Sequence, residues 1–236
     1  MKSNFNDLID IILTFVSNEE LSKSIVVSGS IVPYLAVHKD SNEFHDDFCF
    51  LVKEKKIKRV RYLIDKLSYE YEFDIISDSN KLGDYDHGFA IKYQDSTAYF
   101  FPYSIVNNVL KIGTYYVDYD NNQISYKTKT IPSIRKEHII KLIKFDKYYV
   151  RILSPEFILV QKENTEKNLM EKNLPYIKIL NKISDDEIIE LIRKRMKKES
   201  VNINTLKIKK NEKIIIIVLS IVFVLLLIIG IIIFKK

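Results

Sequence analysis

From Ile214 to Phe234 the chain runs without a single charged side chain. As an α-helix this block would reach about 31 Å at 1.5 Å per residue, roughly one bilayer hydrocarbon core. A buried helix in a globular domain is seldom so long and usually carries a polar face, and this block has none. It reads as a transmembrane helix over residues 213–234, with the bilayer as partner through 214–234. The overall hydrophobic fraction of 47% therefore overstates the core left for the rest of the chain.

The flanks set an orientation. Lys207, Lys209, Lys210 and Lys213 stand just before the block and Arg193, Lys194, Arg195, Lys197 and Lys198 a little earlier, against Lys235 and Lys236 after it. The positive-inside bias then places the N-terminal domain in the cytoplasm, with these cations close to lipid. The opening residues, with Asp7 and Asp10 and no long apolar run, do not form a signal peptide. The expected plan is a single-pass, tail-anchored protein. Cys49 is the sole cysteine, which rules out an internal disulfide and suits a reducing compartment.

Charge is unevenly spread. Residues 193–236 hold 11 Lys or Arg against Glu199 and Glu212, a net +9, so of the total +6 residues 1–192 carry −3. The basic character belongs to the membrane-proximal part, and broad nucleic-acid binding by the domain is not expected.

Four segments follow: a domain over 1–183, a basic amphipathic helix over 184–200, a juxtamembrane tether over 201–212 and the span over 213–234. Within the domain, Leu8, Ile9, Ile11, Ile12, Phe15 and Val16 have helical spacing. A β-branched strand over 24–28 ends at Gly29-Ser30, a helix over 31–37 tolerates Pro33 in its first turn, and a second strand covers 47–52. A helix over 54–69 buries Ile57, Val60, Ile64 and Leu67, and its Lys55, Lys56, Lys58, Arg59 and Arg61 form either a solvated face or a basic patch. A strand over 72–76 precedes a hairpin of 89–93 with 97–103, and a second hairpin spans 115–130 with its turn at 120–122. A strand at 148–153 leads to Ser154-Pro155-Glu156, a helix start. Helices are expected over 155–166, 175–182 and 185–198, the last capped by Ser184 with Glu187.

Several chemistries are excluded. His38, His45, His87 and His138 lack zinc-ligand spacing, and the five glycines form neither a Walker loop nor a dinucleotide fingerprint. The acidic loop Asp78, Asn80, Asp84 and Asp86 lacks EF-hand spacing and reads as a solvated turn.

The stretch Val26–Val52, with Gly29-Ser30 ending one strand and Asp47 at the mouth of the next, resembles the opening of the nucleotidyltransferase fold. Leu153-Ser154-Pro155-Glu156-Phe157-Ile158-Leu159-Val160-Gln161-Lys162 resembles the Leu-Ser-Pro-Glu-x-Leu-Ile-x-x-Lys segment of the abortive-infection type. With the Phe100-Phe101-Pro102 hairpin arm between them, the likeness spans roughly residues 5–182. It implies an α/β (α+β) domain built on a mixed sheet flanked by helices, plus the C-terminal span. It also implies nucleotide binding near Gly29, Ser30 and Asp47.

The family's Asp-x-Asp and third Asp would hold divalent metal against a triphosphate. Carried over, they fall on Asp47, Cys49 and Tyr99. A thiol and a phenol are poor ligands for Mg²⁺, which favours oxygen anions. Asp46 is a neighbour of the first position, but it should face the other side of the strand. Read as plain structure, Asp47 satisfies backbone amides at a strand end, while Cys49 and Tyr99 fill the core. The resemblance thus implies a pseudoenzyme that binds a nucleotide or a protein. An active Mg²⁺-dependent transferase acting on protein or RNA, and a ligand-free anchored scaffold, are the other readings.

Overall fold

The computed structural model describes residues 5–37, 48–71, 73–77, 88–93, 96–118, 123–163 and 167–207. The block at 213–234 lies outside them, as do Asp46, Asp47, Lys209, Lys210, Lys213 and the acidic loop. Among the described residues no helix is long and apolar enough to cross a membrane.

Apolar side chains at helical spacing form α1 (Phe5–Ser17), and Asn18 then caps the short α2 (Glu19–Ser24) by accepting from Glu20 N and Leu21 N, both at 3.1 Å. The strand β1 (Ile25–Gly29) follows, then α3 (Val32–Val37), β2 (Phe48–Lys53), a turn of 3-10 helix, and α4 (Ile57–Tyr71). Next come β3 (Asp74–Ser77), β4 (Phe89–Tyr93), β5 (Ser96–Val106), β6 (Val109–Asp118) and β7 (Gln123–Ile131). The hairpin β8 (Ile140–Phe145) and β9 (Tyr148–Leu153) precedes α5 (Pro155–Glu163), α6 (Lys167–Ile183), α7 (Asp186–Met196) and β10 (Ser200–Lys207).

The strands form one mixed sheet in the order β10-β7-β6-β5-β2-β1-β9-β8, with β4 also on β5 and β3 on β4. Strand β1 is antiparallel to β2 but parallel to β9, and β2 is parallel to β5. This is an α/β sheet flanked by helices. The chain divides into a unit of Met1–Thr114 with Tyr126–Ile203 and a smaller one of Tyr115–Ser125 with Asn204–Lys236. In the smaller unit the described residues are the ends of β6, β7 and β10.

Aromatic packing fixes one face of the larger unit's sheet. Phe15 meets Phe50, Phe73 and Phe100 edge-on at 5.4, 6.0 and 5.9 Å, while Phe100 stacks on Phe50 and Phe89 at 4.8 and 4.4 Å. Such pairs add to the gain from area burial, and they tie α1 to β2, β4 and β5 and to the residue just before β3. Gly88 is demanded by this packing: its φ is +98° and a Cβ would lie 1.8 Å from the Phe100 carbonyl oxygen.

Several expectations need correction. Residues 200–207, expected within the helix and tether, form β10 instead. The helix expected from 175 begins at Lys167 and keeps Pro175 inside it, because burial of Tyr176 and Leu180 outweighs the hydrogen bond that proline forfeits. Asp185, not Ser184, caps α7, accepting from Glu187 N and Ile188 N at 2.9 and 3.2 Å. The second hairpin begins earlier than expected, because Asn107 and Asn108 take positive φ (50° and 59°) and make a tight β5–β6 turn.

Candidate functional site

Of the residues singled out by resemblance, Cys49 and Tyr99 are cross-strand partners on β2 and β5, and Gly29 of β1 pairs with Phe48, the neighbour of Cys49. Ser28, the residue before Gly29, pairs with Cys49 itself. Alternation along the strands puts Ser28, Cys49 and Tyr99 on the face opposite Phe50 and Phe100. There Tyr99 stacks parallel to Phe101 at 6.0 Å. Cys49 is half-buried. Asp47, the remaining member of the set, lies outside the described residues.

Gly29 ends β1 with φ +85°, a conformation that suits glycine and turns the chain toward α3. Ser30 follows and is buried, with only 3% of its surface exposed. Lys162, on the last turn of α5, donates from Nζ to Ser30 Oγ at 2.7 Å across 132 positions of sequence. The same ammonium lies 4.9 Å over the Tyr176 ring, which meets Tyr34 of α3 edge-on at 5.8 Å. Cation–π attraction and the hydroxyl together hold the ammonium beside the Gly-Ser turn.

What aims Lys162 is the start of its own helix. Ser154 Oγ accepts from Phe157 N at 3.1 Å, the capping bond expected of that serine, and donates to the His138 carbonyl at 2.7 Å. Glu156 is fully buried; its Oε1 accepts from Lys141 Nζ at 2.6 Å and from Asp185 N at 3.2 Å. Glu156 Oε2 has no hydrogen-bond partner among the described residues. The Leu153–Lys162 segment is thus fastened at one end to β8, β9 and the start of α7, and at the other to Ser30.

Lys162 is a candidate that sequence reasoning missed. Its place in the motif was visible, but its meeting with Ser30 depends on β1 and β9 lying side by side. Other candidates are dispersed. Arg193 is engaged inside the protein by Glu163 at 2.8 and 3.0 Å. Arg59 of the α4 basic face pairs with Glu20 at 2.8 and 2.9 Å. A cavity of about 480 Å³ lies elsewhere, lined by Asp10, Phe15, Tyr71, Tyr93 and Tyr148 among others.

The donor set does not fit Mg²⁺: two of the three positions are a thiol and a phenol, and the cation prefers oxygen anions. Among the described residues no three His, Cys, Asp or Glu side chains are grouped to hold a metal ion.

No known protein family matches the sequence, and no curated protein matches it either. Among solved structures the chain is similar to an antigenic nucleotidyltransferase-like protein from Paracoccidioides brasiliensis, at 11% identity and a TM-score of 0.46, over 81% of this chain and 87% of that one. At that level the likeness concerns the course of the backbone and brings no residue role with it.

Proposed function

We propose that this chain is a membrane-anchored, nucleotidyltransferase-like protein that binds the phosphate groups of a nucleotide and does not transfer a nucleotidyl group. The observation that carries the reading is the Lys162–Ser30 hydrogen bond, which joins the Gly-Ser turn to the Leu-Ser-Pro-Glu segment. An ammonium and a hydroxyl at a strand end are suited to phosphate oxygens, the first by charge and the second by donation. Cys49 and Tyr99, in place of two carboxylates, leave too little negative charge to hold the two metal ions that nucleotidyl transfer needs. Anchoring is assigned to residues 214–234, with the domain on the cytoplasmic side, on the strength of apolar length and flanking charge.

The test is the thermal midpoint of the full chain in detergent micelles, with each nucleoside triphosphate, with and without Mg²⁺. A ligand that binds only the folded state raises the midpoint. A rise with one triphosphate in the absence of metal is expected. A rise that needs Mg²⁺ would favour the transferase reading instead and call for a transfer assay on protein and RNA. No rise with any triphosphate would leave an anchored module that binds a protein or serves as a scaffold.

A further inference from the structure

We propose that the corner formed by the end of α7 and the start of β10 is an interfacial surface that rests on an anionic bilayer. Helix α7 buries Ile189, Ile192 and Met196 against the core. Lys194, Arg195, Lys197 and Lys198, together with Leu191, line a groove of about 340 Å³. Arg193 is excluded from this set because Glu163 and Glu190 hold it. Lys194 shares Glu190 only at 4.0 Å, and the buried Arg195 Nε has no hydrogen-bond partner among the described residues.

Past Glu199, which pairs with Lys129 at 2.7 Å, and Ser200 come two exposed apolar side chains on a strand at the end of the sheet order, Val201 at 45% and Ile203 at 60%. Cationic heads beside aliphatic surface match the boundary between lipid headgroups and acyl chains, where long basic side chains lay their stems on apolar material and keep their charge at the phosphates. A polyanion such as RNA would use the charges but gain nothing from Val201 and Ile203. The chain also limits the distance available: residues 204–213 separate Ile203 from the apolar block and span at most about 35 Å when extended. Lys207, Lys209, Lys210 and Lys213 fall in that stretch and add attraction to the same leaflet.

This inference rests on the anchor reading, and one experiment separates the two. The chain has no tryptophan, so Ile203→Trp introduces a single indole. The full-length variant is reconstituted into vesicles of phosphatidylcholine with phosphatidylserine, and flotation and quenching by brominated lipid are measured together. Flotation with a blue-shifted, quenched indole is the expected result. Joint replacement of Lys194, Arg195, Lys197 and Lys198 by Gln should abolish the quenching and leave flotation intact, and so should vesicles of phosphatidylcholine alone. An indole that floats unquenched, or that stays quenched after charge removal, overturns the surface while sparing the anchor. A chain that does not float overturns both. Val201→Trp repeats the measurement at a second exposed position, so one poorly folding variant does not decide the matter.

Discussion

Lys141 Nζ sits 2.6 Å from Oε1 of Glu156, a carboxylate with no exposed surface. Lys141 itself is about one-third exposed, at 34%, so the ion pair is solvated from one side only. Removing the ammonium strands a buried charge. Lys141→Met should lower stability by about 3–5 kcal/mol, whereas Lys141→Met combined with Glu156→Leu should recover much of that loss. Urea unfolding of the full chain in micelles measures both. A double variant no more stable than the single one would show that Glu156 is needed for its bond to Asp185 N.

Asp185 supplies the two hydrogen bonds that start α7. Asp185→Ala should cost about 1 kcal/mol, and Asp185→Asn much less, because the amide oxygen still accepts. Ser184→Ala should be close to neutral: its Oγ is buried with no hydrogen-bond partner among the described residues. Equal losses at 184 and 185 in thermal unfolding would contradict this assignment of the cap.

Burial pushes the Tyr103 phenol up to about 12, with Arg151 pulling it partly back. The neutral form is the one that the fold accommodates, and the unfolded chain ionises near 10. The stability contributed by keeping this phenol neutral is therefore intact below pH 10 and is lost as pH climbs toward 12, by an amount on the order of 2 kcal/mol. Tyr103→Phe should flatten the fall in stability over that window relative to the parent. Parallel pH profiles for the two proteins would refute the linkage.

Phe15 joins α1 to Phe50, Phe73 and Phe100. Phe15→Ala should cost about 3–5 kcal/mol, and Phe15→Leu much less. Tyr69, 88% exposed, provides the contrast, and Tyr69→Ala should stay within about 0.5 kcal/mol of the parent.

Lys162→Met retains the aliphatic stem but cannot donate to Ser30. The triphosphate-induced rise in midpoint should disappear, while the stability of the unliganded protein changes by about 1 kcal/mol or less. Undiminished triphosphate response in this variant would move the phosphate site away from Ser30.

Local pattern was enough to read α1, the passage from β1 through Gly29 to α3 and β2, the β4–β5 hairpin and the Ser154 cap. In each of these the side-chain period and the turn residues agree. It failed where neighbours decide the outcome. The polar-interrupted run Ile140–Phe145 became β8 because β9 pairs with it, and no residue of that strand is fully buried. The polar stretch after α7 became β10 by joining β7. Asn107-Asn108 is a turn signal in the sequence, since asparagine tolerates the positive φ that both residues adopt. Of the candidate positions, Cys49 and Tyr99 fall side by side, while Lys162 meets Ser30 through a contact across 132 residues that no local window contains.

The parallel pairing of β1 with β9 bears on how this protein is made. Strand β1 leaves the ribosome early, yet one of its two neighbours is among the last strands of the domain to emerge. Until then Val26 and Val27 present an open, aggregation-prone border, and the long loop that must close slows final assembly. The Gly-Ser turn accordingly acquires its lysine only when synthesis is well past Leu153. A nascent chain arrested before that point would lack Lys162 at Ser30, and with it the feature on which nucleotide binding is proposed to depend.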